Sequence, residues 1–227
     1  MSDFDAVLFD LDNTLCRHEQ SAAAIYTGAF EWAGVDPVGE PDDLWAALDG
    51  DPPPGDTTAY LADGFERVAA KHGVAFDAAR LAEGFVETVD YRAVSLVPGA
   101  EDALAAAERH GRVGLVTNGP ASRQAVKVDA LGIESRFETI VYAGDLPRRK
   151  PHPDPFNRAL RALDVSTTAA LYVGDSVEYD VAGAHRAGLP VAWVPENGTA
   201  WRDEEWPGID RPTYVFDRVD DLVGVLG

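Results

Sequence analysis

The sequence predicts an α/β fold in which a parallel sheet forms the core and an all-helical segment is inserted near the N-terminus. Two observations lead to this prediction. From about residue 97 to the C-terminus, short apolar runs alternate with amphipathic stretches, as is typical of right-handed βαβ units. Residues 19–92, by contrast, are alanine-rich and amphipathic and contain no comparable strand run.

The apolar runs are the predicted strands of the sheet. Continuous apolar runs suit strands that are buried on both faces, as in a parallel sheet covered by helices. The predicted strands are 5–9, 113–116, 139–142, 170–173, 191–194 and 214–216. The helices predicted between them are 101–109, 122–131, 155–163 and 181–187. Gly111, Gly132 and Gly188 stand where helix C-termini favour a left-handed residue.

The inserted segment is predicted to contain four helices, over 20–33, 41–48, 57–72 and 77–91. Residues 49–55 include three consecutive prolines, which cannot continue a helix, so this stretch is predicted to be a loop. The predicted linkers are 15–19 and 92–98. We therefore expect a discontinuous α/β core over 1–15 and 97–227 and a helical domain over 16–96.

Charge is the most unusual feature of the composition. The chain has 39 acidic and 19 basic residues, a formal net charge of −20, and its lysines are confined to Lys71, Lys127 and Lys150. Such a surface disfavours binding to nucleic acid or to an anionic membrane, because both need cationic protein surface. Salt screens repulsion between carboxylates, so we interpret the acidic composition as an adaptation to high salt.

The single cysteine, Cys16, excludes an intramolecular disulfide framework and a zinc site of the CxxC type. No apolar run approaches the roughly 18 residues that span a bilayer. The acidic N-terminus also lacks the basic start and long apolar stretch of a signal peptide. We expect a cytoplasmic protein.

Two acidic residues follow the first predicted strand. Asp10 and Asp12 are two positions apart, so in an extended chain both carboxylates can face one site. Adjacent carboxylates repel each other, which favours a bound cation or one protonated partner. If the pair stood alone, helix capping or a solvated turn would be the favoured explanation.

Further polar groups follow other predicted strands. Thr117-Asn118-Gly119 ends the second strand with a hydroxyl and a backbone suited to binding an oxyanion, and Lys150 precedes prolines. Asp175 ends the strand at 170–173, and Asp180 follows five residues later. Each group has an ordinary explanation on its own: a turn hydroxyl, a solvated lysine or a helix N-cap. Together they fall at the carboxyl ends of successive strands, where parallel sheets bind ligands.

This ordered set of motifs resembles the haloacid dehalogenase-like (HAD) hydrolase superfamily, and in particular its phosphatase branches. The resemblance rests on Asp10-x-Asp12-x-Thr14, Thr117, Lys150 and Gly174-Asp175 followed by Asp180. It implies a Rossmann-like core, and it implies that the helical insert is a cap of the type called C1.

The resemblance also implies a role for each site residue. Asp10 would be the nucleophile, and Asp12 the general acid and then the general base. Thr117 and Lys150, with Asn118 and Gly119, would bind the phosphoryl group. Mg²⁺ would be held by the Asp10 carboxylate, the Asp12 backbone carbonyl and Asp175, while Asp180 would support the metal or Lys150.

The expected function is Mg²⁺-dependent hydrolysis of a small phosphorylated metabolite, of the nucleotide or sugar phosphate class. A phosphomutase similar to β-phosphoglucomutase is the nearest alternative, because it shares the paired aspartates. A 2-haloacid dehalogenase is disfavoured by Asp12, since that reaction has no alkoxide leaving group to protonate. A catalytically idle binding module is the least favoured alternative, because all four motifs are intact.

Overall fold

The computed structural model describes residues 4–48, 56–195 and 211–227. The chain divides into two compact units, one formed by Met1–Arg17 and Val94–Gly227 and the other by His18–Ala93. The loop predicted over 49–55 lies outside the described residues. Among the described residues, no helix combines the length and apolar character that crossing a bilayer requires.

The larger unit contains a six-stranded parallel sheet, which confirms the predicted fold class. The strands of the described residues are β1 (Ala6–Phe9), β2 (Cys16–His18), β3 (Val94–Leu96), β4 (Arg112–Thr117), β5 (Thr139–Tyr142), β6 (Ala170–Gly174), β7 (Val191–Trp193) and β8 (Tyr214–Val215). The large sheet has the order β5-β4-β1-β6-β7-β8, and β2 pairs with β3 in a separate small sheet. Strand β1 is therefore central.

Helices cover the large sheet and form the smaller unit. The helices of the described residues are α1 (Ala22–Ala33), α2 (Pro41–Ala47), α3 (Thr57–His72), α4 (Ala78–Thr88), α5 (Ala100–His110), α6 (Ala121–Leu131), α7 (Asp154–Leu163), α8 (Ala182–Ala187) and α9 (Leu222–Leu226). A π-helical turn, Val177–Val181, precedes α8. The first four helices belong to the smaller unit, and the others to the larger.

The alternation of side chains along β1 explains why the sheet is buried on both faces. Val7 and Phe9 pack into one apolar cluster, which includes residues of α5, α6 and α9. Ala6 and Leu8 point the other way, into a cluster with residues of α7 and α8. All four of these side chains are fully buried. This packing fixes the central strand rigidly and, with it, the residues that follow it.

The helical unit has its own apolar core. Phe30, Phe65 and Phe85 are buried at its centre, and Phe30 and Phe65 meet edge to face with ring centroids 5.9 Å apart. Asp43 of α2 joins α2 to the end of α3, because its carboxylate bonds Lys71 Nζ at 2.5 Å and His72 Nε2 at 2.7 Å. The unit is thus held by both apolar packing and an ion pair.

The structure corrects three details of the predicted insert. The segments predicted to be linkers contain the short strands β2 and β3, which pair with each other. The helix predicted over 77–91 ends at Thr88, because Val89 takes an extended conformation. The first helix begins at Ala22 rather than at residue 20, since the Ser21 hydroxyl accepts a hydrogen bond from the backbone N–H of Ala24 and so caps the helix.

Candidate active site

The polar residues singled out in the sequence gather at one edge of the large sheet. Asp10 follows β1, Thr117 is the last residue of β4, and Asp175 follows β6. Strand β1 lies between β4 and β6, and Phe9 pairs in register with both Leu115 and Val173. Because the strands are parallel and in register, their carboxyl ends bring these side chains to the same place.

Lys150 is at the centre of this group. Its Nζ atom lies 2.6 Å from Asp10 Oδ1 and 2.7 Å from Asp180 Oδ1, and it donates to the Tyr172 hydroxyl at 2.9 Å and to the Val116 carbonyl at 3.1 Å. The lysine side chain is 2% exposed. An ammonium group is costly to bury unless oxygen atoms surround it, and here they do.

Burial dominates the electrostatics of the site. It raises the pKa of Asp10 well above the usual range for a carboxyl group; the charge of Lys150 opposes this effect, and Asp180 and Asp175 add to it. Burial, followed by the charge of Asp180, raises the pKa of Asp175 to about 7. Burial alone would lower the pKa of Lys150, but Asp10 and Asp180 raise it above its ordinary value. The lysine is therefore held as a cation.

The acids of the site outnumber its buried cation. Oxygen atoms of Asp10, Asp175 and Asp180 all lie within 4.8 Å of one another. With Lys150 counted, three carboxylates and one ammonium group leave two negative charges when all are ionised. A divalent cation would balance that charge, and carboxylate oxygens are the ligands that Mg²⁺ prefers. The donor set therefore fits a bound Mg²⁺ ion.

Asp180 is already engaged on both of its oxygen atoms. Oδ1 accepts hydrogen bonds from Lys150 and, at 2.8 Å, from the Tyr172 hydroxyl, and Oδ2 accepts one from the backbone N–H of Ser176 at 3.0 Å. A Cβ on Gly174 would lie 2.5 Å from Asp180 Cγ, so glycine is needed there to let this side chain approach. Through these contacts, Asp180 stabilises the position of Lys150 and the turn after β6.

Asp12 binds a different cation from Asp10. Its Oδ1 atom lies 2.6 Å from Lys127 Nζ, and its Oδ2 atom accepts a hydrogen bond of 2.8 Å from Gln124 Nε2. Lys127 and Gln124 are both on helix α6 and are both buried. The spacing of two between Asp10 and Asp12 thus leads to two separate ion pairs.

Thr117, the last residue of β4, and the residues that follow it differ in what they contact. The Thr117 hydroxyl is buried and accepts a hydrogen bond of 2.6 Å from Gln124. The side-chain amide of Asn118 bonds the backbone of Lys150 twice, accepting from its N–H at 2.8 Å and donating to its carbonyl at 2.9 Å. The Asn118 side chain thus holds the backbone of Lys150 in place, and the Gly119 carbonyl accepts a hydrogen bond from the backbone N–H of Gly144.

Sequence reasoning assigns no role to three residues that the structure places in the site: Gln124, Lys127 and Tyr172. Tyr172 reads as an ordinary apolar position of a buried strand, yet its hydroxyl contacts both Lys150 and Asp180. The available signal for the other two was their spacing of three on a helix, which puts a polar pair on one face directly after Thr117.

Comparisons with known proteins show the family to which the chain belongs. Residues 4–188 match the family model of haloacid dehalogenase-like hydrolases. The chain is 33% identical over 230 residues to a phosphoglycolate phosphatase of Cereibacter sphaeroides, covering 90% of this chain and 97% of that protein. It is 30% identical over 131 residues to a glyceraldehyde 3-phosphate phosphatase of Pyrococcus furiosus, covering 57% and 54% of the two chains.

A solved structure shares the fold over the full length. The HAD hydrolase YfnB from Bacillus subtilis, bound to magnesium, superimposes with a TM-score of 0.78 at 22% identity and covers 99% of both chains. The chain described here belongs to the haloacid dehalogenase-like hydrolase family, and it is an enzyme of the phosphatase kind that its full-length relatives represent.

Proposed function

We propose that this protein is a Mg²⁺-dependent phosphatase that hydrolyses a small phosphorylated metabolite through a covalent intermediate on Asp10. The observation that carries the proposal is the buried contact of 2.6 Å between Lys150 Nζ and Asp10 Oδ1 at the carboxyl end of the central strand. The full-length phosphoglycolate phosphatase relative supports a phosphorylated substrate of a few carbon atoms.

In the first step, a carboxylate oxygen of Asp10 attacks phosphorus. The bond between phosphorus and the ester oxygen breaks, its electron pair stays on the leaving oxygen, and that oxygen takes a proton from the carboxylic acid of Asp12. The products are an aspartyl-phosphate and an alcohol. Lys150 stabilises negative charge on Asp10 and the phosphoryl group, and the Thr117 hydroxyl lies where it can bind a phosphoryl oxygen.

In the second step, the Asp12 carboxylate takes a proton from water as the water oxygen attacks phosphorus. The acyl-phosphate bond breaks, and its electron pair returns to Asp10, which regenerates the enzyme and releases inorganic phosphate. The carboxylates of Asp10 and Asp175, with the backbone carbonyl of Asp12, would hold Mg²⁺. When bound, the ion supplies charge stabilisation for the phosphoryl oxygens. A solved structure of the same fold, the HAD hydrolase YfnB from Bacillus subtilis, was obtained bound to magnesium.

The helical unit is proposed to be the cap that selects the substrate. It is a single continuous insertion, His18–Ala93, with its own apolar core. An insertion of this kind can vary in sequence without disturbing the strands that carry Asp10 and Asp175. We also propose that the strongly acidic composition is an adaptation to high salt.

The experiment that tests the function is a screen for phosphate release with purified protein in molar KCl and Mg²⁺. The panel contains 2-phosphoglycolate, glyceraldehyde 3-phosphate, nucleoside monophosphates and hexose phosphates. We expect stoichiometric release of inorganic phosphate from one chemical class, abolished by EDTA and restored by Mg²⁺. No release from any member, or release that is indifferent to chelation, would contradict the proposal.

A phosphomutase is the second candidate, because Asp10 and Asp12 would serve it equally well. The same hexose phosphates distinguish the two functions. A mutase would interconvert glucose phosphate isomers and would require a bisphosphate activator, whereas a phosphatase releases phosphate from either isomer. Isomer interconversion without net phosphate release would favour the mutase.

A further inference from the structure

Gln124 and Lys127 are buried polar residues with no part in the reaction as described above. Gln124 is 2% exposed and Lys127 is 4% exposed. A buried amide or ammonium group reduces stability unless it is well partnered, and lysine is rarely buried at all. Two such side chains lie on one face of helix α6, and the groups that they contact explain why they are buried there.

Both side chains hold Asp12. Lys127 Nζ lies 2.6 Å from Oδ1, and Gln124 Nε2 lies 2.8 Å from Oδ2, so each carboxylate oxygen has its own donor. Two donors on different oxygens fix the plane of the carboxylate as well as its position. The Asp12 side chain nevertheless remains 39% exposed, so it can reach a substrate oxygen while it is held from behind.

Gln124 also connects Asp12 to the phosphate-binding end of β4. The same Nε2 atom lies 2.6 Å from Thr117 Oγ1. Glycine at position 119 allows Gln124 to approach this closely, because a Cβ there would lie 2.5 Å from the Gln124 Cγ atom. Asp12 and Thr117 are thus kept at a set separation by one amide group.

We propose that Gln124 and Lys127 are positioning residues that orient Asp12 toward the leaving-group oxygen of the substrate. The inference rests on the proposed function, because only phosphoryl transfer requires a proton from Asp12. A displacement of about 1 Å in a catalytic group can cost about 100-fold in rate. Loss of Lys127 should therefore impair proton donation although Asp12 itself is present.

The test compares kcat/KM for two aryl phosphates of similar size, p-nitrophenyl phosphate and phenyl phosphate. This parameter reports only the steps up to departure of the leaving group. Nitrophenolate departs with little need for a proton, whereas the departure of phenolate depends more strongly on protonation. Lys127→Met should lower kcat/KM for phenyl phosphate by about 10- to 100-fold and for p-nitrophenyl phosphate by less than about threefold.

Three further variants control the measurement. Arg136→Met removes a cation that pairs with Glu101 and Glu108 elsewhere on the same unit, and it should leave both values unchanged. Lys127→Arg restores a cation and should recover most of the loss on phenyl phosphate. Gln124→Met should show the same selective loss to a smaller degree, and it carries the test if Lys127→Met does not fold.

Asp12→Asn, measured in parallel, separates the two proposals. If it loses activity equally on both substrates, Asp12 is not the acid, and this inference fails with that assigned role, whereas the phosphatase function fails only if the wild type releases no phosphate. If Asp12→Asn is selective for phenyl phosphate but Lys127→Met and Gln124→Met are not, only this inference fails. If the inference is right, adding Lys127→Met to Asp12→Asn will cause no further loss, since both changes remove the same proton transfer.

Discussion

Lys150 and Asp180 form an ion pair of 2.7 Å in which the two side chains are 2% and 1% exposed. Lys150 lies before α7 and Asp180 lies in the π-helical turn after β6, so the pair joins these two segments. The second oxygen of Asp180 accepts a hydrogen bond from the backbone N–H of Ser176, at the start of the same turn. Two parts of the chain that are far apart in sequence are thus fixed relative to each other, directly behind Asp10.

Removal of the charge of Asp180 should destabilise the protein. Asp180→Asn leaves Lys150 buried with one fewer carboxylate, and breaking a buried pair in this way typically costs about 3–5 kcal/mol. We expect a loss of that size in the free energy of unfolding, measured by urea denaturation. The control is Asp217→Asn, at an exposed site of the same unit, which should change the value by less than about 0.5 kcal/mol. Equal stability of the two variants would contradict the role given to Asp180.

Replacement of the nucleophile should abolish turnover without unfolding the protein. Asp10→Asn keeps the shape of the side chain but provides an amide, which is a poor nucleophile. We expect hydrolysis of p-nitrophenyl phosphate to fall by at least ~10⁴-fold, with the circular dichroism spectrum unchanged. Turnover close to that of the wild type would rule out a covalent intermediate on Asp10.

Mg²⁺ should stabilise the folded protein through Asp175. A ligand at 100 times its Kd adds about 2.7 kcal/mol to stability, so the melting temperature should rise as Mg²⁺ is titrated. Asp175→Asn should lose most of that rise, while Asp217→Asn should keep it. KCl at matched ionic strength is the necessary reference, because salt alone screens this acidic surface. A rise of equal size in both variants would place the cation elsewhere.

Acid should remove the stabilisation that Asp43 provides to the helical unit. Two hydrogen bonds lower the pKa of Asp43 to about 2, and the one from Lys71 has a larger effect than the one from His72. Since an unfolded aspartate titrates near about 3.9, the ionised group stabilises the fold above about pH 4, and that contribution is lost as the pH falls toward about 2.

The measurement is the difference in melting temperature between the wild type and Asp43→Asn as a function of pH at fixed salt. The difference should be largest at neutral pH and should shrink between about pH 4 and pH 2. Asp63→Asn, at an exposed position of α3, should show no such pH dependence. A difference that stays constant down to about pH 2 would show that the ion pairs of Asp43 do not stabilise the fold.

Salt should raise the melting temperature of the protein over a wide range of KCl concentration. The net charge is −20, and the screening length falls from about 10 Å at 0.1 M salt to about 3 Å at 1 M. We expect the midpoint to rise between about 0.1 M and 2 M KCl at fixed Mg²⁺, and a neutral osmolyte in place of KCl separates screening from solute exclusion. A midpoint that stays flat or falls would contradict the interpretation of the acidic surface as a salt adaptation.

The sequence predicted the elements of the core because its signals there are local. A run such as Ala170 to Gly174 is apolar at every position, and burial on both faces of a parallel sheet requires this pattern. The predicted ends of helices are less accurate than the predicted strands. An example is the end of α4 at Thr88, which no capping residue marks in the sequence. The π-helical turn before α8 has no pattern in the sequence that distinguishes it from a helix.

The candidate site was predictable where its residues follow strands and not where they project from a helix. Asp10, Thr117 and Asp175 were found because parallel strands end at one edge. Gln124 and Lys127 were missed, since the rotation of α6 about its axis depends on packing that the sequence pattern does not specify. Asn118 is part of the predicted site, but no local pattern in the sequence indicates that its side chain contacts Lys150, which is 32 residues away along the chain.

The pairing of β2 with β3 has a consequence for how this chain can change. The path leaves the larger unit through Cys16–His18 and returns through Val94–Leu96, and paired strands lie about 5 Å apart. Hydrogen bonds flank the crossing on each side, from Val97 N–H to the Leu15 carbonyl and from Glu19 N–H to the Ala93 carbonyl. A segment whose two ends are neighbours can be exchanged for another, or shortened to a turn, without moving the ends of the scaffold that receives it. If the four helices select the substrate as proposed, exchange of this one segment gives the same catalytic scaffold a different specificity.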